Sequence, residues 1–171
     1  LRHVLTEDGF SSAIVFARTK HRAKKLADQL SRAGHGAIAL QGNMSQPQRD
    51  RAMRGFRDGH FEVLVATDIA ARGIDVAKVS HVINYDMPNT ADAYTHRVGR
   101  TGRAECSGKA YTFICREDRD QVRAIERRHG SAIPRKTVDG FTAERESAPA
   151  PRTERAARPR ARKRNYRAGR R

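Results

Sequence analysis

EVLVATDIAARGID, residues 62–75, is the stretch on which the fold turns. Its first half, residues 62–67, is built on VLVA at 63–66, an apolar run that is short and unbroken. That is too brief for an independent helix and too continuously apolar for a strand with one wet face. Its second half opens on Thr67 and Asp68 and runs through Gly73 to Asp75, so polar groups begin where the apolar run stops. A buried parallel strand that hands over to a polar loop is the unit of an α/β sheet, and ligands of such sheets gather at the carboxyl ends of the strands. A threonine hydroxyl and backbone N–H groups at that point can bind phosphate. Gly73 permits close backbone approach, and Asp75 can accept from a ribose hydroxyl. The alternative at this point is that Thr67 and Asp68 merely cap a helix.

Working outward, the same kind of run recurs as SAIVF at 12–16, GAIAL at 36–40, HVINY at 81–85 and AYTFI at 110–114. Helical patterns lie between them. Ala23, Leu26, Ala27 and Leu30 recur at i, i+3, i+4, i+7 after a cap at Thr19 and before Gly34. Ser45 and Gln48 have capping-box spacing with Pro47 at the start, Met53 and Phe56 supply the buried face, and Gly59 stops the run. A third helix begins near Thr90 and carries Tyr94 and Val98, a fourth covers about 118–128, and residues 1–5 read as a helix already under way. With right-handed crossovers, these elements predict an open parallel sheet covered by helices on both faces. Tyr85 to Pro88 reads as a strand exit and turn. Tyr111 and Phe113 read as alternate faces of the last strand.

The chain of 171 residues allows one ordinary domain and an appendage. Its 35 Lys and Arg against 19 Asp and Glu give a formal charge of +16, which calls for a polyanionic partner, nucleic acid before anionic membrane. Residues 142–171 hold 11 of the basic and three of the acidic residues, with Pro149, Pro151 and almost no large apolar side chain. Such a composition cannot bury enough surface to order itself, so disorder is expected beyond about Phe141. No apolar stretch reaches membrane-span length and no signal pattern opens the chain, so a soluble, cytoplasmic protein is expected. Cys106 and Cys115 have no Cys or His neighbours at zinc spacing, and no metal site is expected.

A second chemical segment is YTHRVGRTGR at 94–103. Read blandly, it is a basic helix end meeting the negative pole of the dipole. Yet Arg97, Arg100 and Arg103 stand three apart, and Gly99 and Gly102 put the last two on a tight turn, where forked guanidiniums suit phosphate oxygens. Together the two segments resemble motifs V (TDIAARGID) and VI (HRVGRTGR) of the C-terminal, RecA-like domain of DEAD-box RNA helicases, closest to the bacterial RhlE-type branch. AIVFARTK at 13–20 resembles motif IV, and Gln46 to Arg49 fits the Q-x-x-R element of motif IVa. The match covers about residues 1–141.

The resemblance implies an RNA-stimulated, ATP-dependent clamp that unwinds or remodels short duplexes. In it Asp75 and Gly73 meet the nucleotide, and Arg100 and Arg103 reach the γ-phosphate. His96 and Arg97 couple the nucleotide to the facing domain and to motif V. Thr67 and Asp68, Gly42, and the loop at Arg18 and Thr19 lie along the RNA backbone, with Gln46 and Arg49 bracing that surface. The family usually has His at the position of Gln41 and Val or Ile at that of Thr95. Neither a G-x-x-x-x-G-K-[ST] loop nor an Asp-Glu-Ala-Asp box occurs. ATP with Mg2+ is therefore expected to be held mainly by an N-terminal RecA-like domain of the same protein, and this chain, read as a fragment, is not expected to turn over ATP alone. The basic tail is expected to tether structured or ribosomal RNA. The rival reading is an ATP-independent RNA-binding or annealing module, with a DNA helicase half behind it.

Overall fold

The apolar runs do become strands: β1 (Ala13–Phe16), β2 (Ala37–Leu40), β3 (Val63–Ala66), β4 (His81–Asn84) and β5 (Lys109–Thr112). The computed structural model describes residues 1–71, 79–102 and 108–136; Gly73, Asp75, Arg103 and the tail from residue 142 lie outside the described residues. The chain divides into Leu1–Ile133 and Pro134–Arg171, and all the elements below belong to the first unit.

The five strands form one parallel sheet in the order β2-β3-β1-β4-β5. β1 sits at the centre, with Ala13–Phe16 in register with Val63–Ala66 on one side and His81–Asn84 on the other. β1, β3 and β4 are buried at every residue, as a strand covered on both faces must be.

Alternate side chains point to opposite faces of the sheet. On one face Ile14, Phe16, Leu64, Ala66 and Val82 meet Ala52 and Phe56 of α3 (Gln46–Arg57) and Ala70 and Ala71 of the short α4 (Asp68–Ala71). On the other, Ala13, Val15, Val63, Val65 and Ile83 meet Val4 and Leu5 of α1 (Arg2–Leu5) and Ala23, Leu26, Ala27 and Leu30 of α2 (Lys20–Arg32). A third cluster joins Tyr94 of α5 (Ala91–Val98) to Val122 and Ile125 of α6 (Arg119–His129).

The caps follow the sequence. Thr19 Oγ1 accepts from the Arg22 N–H at 3.2 Å, Thr90 Oγ1 from the Ala93 N–H at 3.1 Å, and Gln48 Oε1 from the Ser45 N–H at 3.0 Å. Two expectations need correction at the last strand. β5 starts and stops earlier than 110–114 because its partner β4 ends at Asn84. The Phe113 N–H to Asn84 carbonyl bond, 3.0 Å, is followed by a 3-10 turn at Arg116–Asp118 that leaves Ile114 exposed. Tyr111 and Phe113, two residues apart, share one face of the sheet, packing with the α1 and α2 layer. Among the described residues no helix is long and apolar enough to cross a membrane.

Candidate functional site

The carboxyl ends of β2, β3, β1 and β4 release Gln41, Thr67, Ala17 and Tyr85 onto one edge, and Arg18, Thr19, Gly42, Thr67 and Asp68 follow directly from those exits, whereas Arg100 precedes Thr101, which is bonded beside the amino end of β4. The centre of that edge is a buried cation. Arg97, 3% exposed, points inward from α5. Its Nε and Nη2 donate to the two carboxylate oxygens of Asp68 at 2.6 and 2.7 Å, and Nη1 donates to Asn84 Oδ1 at 3.1 Å and to the Asp86 carbonyl at 2.9 Å. The guanidinium lies 5.0 Å from the Phe16 ring centroid. A forked, bidentate pair with two further acceptors is what makes a desolvated guanidinium tolerable.

Asp68, expected from the sequence as an RNA contact, and Arg97, expected to link the nucleotide to the segment that holds Asp68, thus neutralise each other. Through Arg97 the exits of β3, β4 and β1 and the helix α5 are one connected unit. Asp86 extends it. Its Oδ2 accepts the Arg18 N–H at 2.8 Å, and its Oδ1 pairs at 3.0 Å with Arg22, whose guanidinium also sits 5.7 Å over the Tyr85 ring. The loop at Arg18 and Thr19 is therefore tied to the same strand end that holds Arg97. From the sequence Asp86 reads as a turn residue, and Asn84 as part of the apolar run 81–85. The available signal was an Asn at the end of an apolar strand, and Asn84 is 0% exposed, a position where a polar side chain requires partners.

Arg49 does the same work on the other side. Its Nη2 donates to the Ala70 carbonyl at 3.1 Å and its Nη1 to the Gln41 carbonyl at 3.5 Å, bridging α4 to the loop that carries Gly42. That loop also closes on itself, the Gln41 N–H reaching Met44 Sδ at 3.3 Å. Gly42 is exposed, with no atom within 4 Å of where a Cβ would stand. Gln46 is exposed and donates to Asp50 Oδ1 at 2.8 Å. Thr67 does cap a helix: its Oγ1 accepts from the Ala70 N–H at 3.4 Å, so the capping alternative holds for Thr67, whereas Asp68 serves Arg97.

Beyond Arg97, His96 is exposed and Arg100 half-buried, its N–H donating to the Arg97 carbonyl at 3.1 Å. Gly102 has φ +69°, where only glycine is unstrained, and a Cβ on Gly108 would lie 1.8 Å from Thr101 Oγ1. Thr101 in turn donates to the Val79 carbonyl at 2.6 Å.

An open parallel sheet whose carboxyl edge is organised by arginines is the architecture of RecA-like helicase C-terminal domains. Residues 1–105 match the helicase conserved C-terminal domain family. The chain is 45% identical over 127 residues to the ATP-dependent RNA helicase DeaD of Mycobacterium tuberculosis, covering 74% of this chain and 23% of that protein. It is 49% identical over 114 residues to the DEAD-box ATP-dependent RNA helicase CshA of Bacillus subtilis, covering 67% and 23%. Among solved structures, that of the E. coli DEAD-box protein SrmB bound to regulator of ribonuclease activity A superposes with a TM-score of 0.76 at 39% identity, over 80% of this chain and 81% of that one. The chain belongs to the DEAD-box helicase family and is its conserved C-terminal domain. It spans about a quarter of the length of the curated relatives it matches.

Proposed function

We propose that this domain is the C-terminal half of an ATP-dependent RNA clamp of the RhlE-type branch, working against an N-terminal RecA-like domain of the same protein that holds most of the nucleotide. The observation that carries the reading is the buried Arg97. It joins the loops that would lie on RNA to the helix that would reach ATP.

On the RNA side, Arg18, Thr19, Gly42 and Thr67 present backbone and hydroxyl groups to phosphate and 2′-OH, with Gln46 and Arg49 bracing them and Asp68 acting through Arg97. Contacts of that kind bind without sequence preference and distinguish RNA from DNA. On the nucleotide side, Arg100 and Arg103 supply positive charge to the γ-phosphate, His96 meets the facing domain, and Asp75 and Gly73 receive the ribose. Phosphoryl transfer asks for positioning and charge more than covalent chemistry, so one such arginine is worth about 10³ to 10⁵ in rate. Magnesium would be held by carboxylates of the N-terminal domain; among the described residues here, no group of three or more His, Cys, Asp or Glu could hold a metal ion. Closure over RNA would distort a short duplex and hydrolysis would reopen the cleft. The tail from residue 142, with 11 basic residues, would retain RNA nearby.

In the two-domain protein, Arg100→Ala should abolish RNA-stimulated ATP turnover and leave the circular dichroism and melting of the domain unchanged. Near-normal turnover would reject the assignment. This chain alone should bind RNA weakly and hydrolyse no ATP.

A further inference from the structure

α5 is held by more than the sheet. One face of it, Ala91, Tyr94 and Val98, rests with Val122, Ile125 and Ile133 in the cluster that joins it to α6. Two polar contacts cross the same seam. Asp92 and Arg128 approach to 3.7 Å with both side chains at least 70% exposed, a surface pair of little consequence. The other joins Thr95 Oγ1 to His129 Nε2 at 3.1 Å, and there the chemistry is directional.

Thr95 Oγ1 also lies 3.0 Å from the Ala91 carbonyl, which can only accept. The single hydroxyl proton therefore goes to Ala91. What Thr95 offers His129 is a lone pair, and His129 must donate from Nε2–H. The donor is well placed. Its ring stands edge-on to Tyr94, 5.5 Å between centroids at 75°. Gly130, at φ +70°, ends α6 immediately after it, and the Ile133 N–H to Glu126 Oε1 bond, 3.0 Å, folds the following chain back onto the helix.

Thr95 stands one residue before His96, two before Arg97 and five before Arg100. We infer that His129 is a positioning residue for the nucleotide-facing end of α5: by donating to Thr95 it fixes the setting of that helix about its axis, and α6 becomes part of what aims His96 and Arg100. A Val or Ile at position 95, the usual family choice, has no lone pair to offer, so the link is a property of this Thr and His together. The inference rests on the reading of Arg100 as facing ATP.

Both side chains are exposed, so they can be changed without opening the core. In the two-domain protein, Thr95→Val and His129→Leu should each lower kcat of RNA-stimulated ATP turnover about two- to tenfold, the worth of one neutral hydrogen bond, with KM for ATP little altered. The double variant should be no worse than either single one. Thr95→Ser should restore turnover, as should His129→Gln, whose amide nitrogen reaches the place of Nε2. His129→Asn, whose amide stands at the place of Nδ1, should not. In this chain alone, Thr95→Val should speed amide exchange across α5 and leave β3 unchanged. Additive losses, or unchanged kcat in both single variants while Arg100→Ala abolishes turnover, would overturn the inference. Unchanged turnover in Arg100→Ala would overturn the reading beneath it.

Discussion

The sheet buries an ionisable side chain at each end of its strands and treats the two in opposite ways. At the carboxyl end Arg97 is 3% exposed, and its guanidinium makes four hydrogen bonds to three residues. At the amino end His81 is 1% exposed, and its Nε2 has no hydrogen-bond partner among the described residues. The imidazole stacks on Tyr111, with centroids 6.0 Å apart and planes within 5°, and tilts against Phe10 at 5.4 Å. A permanent charge can be buried only if the surrounding chain is fixed around it, and that fixing is what the ligand-facing edge needs. A titratable ring can be buried by staying neutral, which asks less of its neighbours and gives them less definition.

The largest effect should come from breaking the carboxyl end. Asp68→Ala takes two of its four hydrogen bonds from a buried guanidinium, but the Asp68 side chain is 44% exposed and water can replace part of the loss, so the cost in urea unfolding should be about 1.5–3 kcal/mol, below the range for a fully buried ion pair. Replacing both, with Arg97→Met and Asp68→Leu, should recover much of that stability, because the desolvated charge is gone. RNA-stimulated turnover should not return with it. A double variant as unstable as Asp68→Ala would mean that the cost lies in packing and not in charge.

The amino end should respond to acid. Burial, and then the charge of Lys109, hold the His81 pKa below its ordinary 6.5, while Glu7 pulls weakly the other way. Ser80 shows why the ring resists a proton. Its Oγ already accepts the Ser11 and Ser12 N–H groups, both at 3.0 Å, and shares its one hydrogen between the Ser12 carbonyl at 2.7 Å and His81 Nδ1 at 2.8 Å. A protonated Nδ1 would face a hydroxyl with no lone pair left. Above pH 6.5 folded and unfolded chains both carry neutral His81. Below it the unfolded chain takes up a proton that the folded one refuses, so stability falls with pH, by at most about 1.4 kcal/mol per unit, until the folded pKa is reached. His81→Phe should flatten that part of the stability profile below about pH 6.5 relative to the unaltered chain. Parallel profiles would show that His81 takes up its proton as readily in the fold as in the unfolded chain.

These two ends were unequally legible. The strands could be read because their burial is written locally, as in VLVA at 63–66, and the helices because Thr19, Ser45 and Thr90 mark where they start. The positions of Arg97 and Asp68 were legible too, as members of two motifs, but not their bond, which joins residues 29 apart in the chain. One clue was present. Tyr94 and Arg97 are three apart in a helix and therefore share a face, so an arginine was due on the buried side of α5. Asp86 gave no such clue, since its importance comes from Arg18 and Arg22, on the far side of two crossovers. The His81 environment was the least legible, because Phe10, His81 and Tyr111 come from three separated segments and meet only once the order β1-β4-β5 is known.

The smallest effect sharpens the contrast by separating burial from charge at the amino end. Lys109 is half exposed, with Nζ 3.6 Å from Glu7 Oε2 and 3.2 Å from the Asp8 carbonyl. Its charge is the second cause of the lowered His81 pKa, and Glu7, which it partly neutralises, acts to raise it. Lys109→Met removes the repulsion and leaves the Glu7 charge, still bonded by the Tyr111 hydroxyl, without its neutralising ammonium, and both changes let His81 take its proton at a higher pH. The interval over which only the unfolded chain is protonated should then shrink. The acid loss of stability should become shallower than in the unaltered chain, yet remain steeper than in His81→Phe, since burial still acts. Solvent screening at a half-exposed ammonium keeps this effect small and salt-dependent, so it should fade as ionic strength rises. A profile identical to the unaltered one at low salt would assign the whole shift to burial.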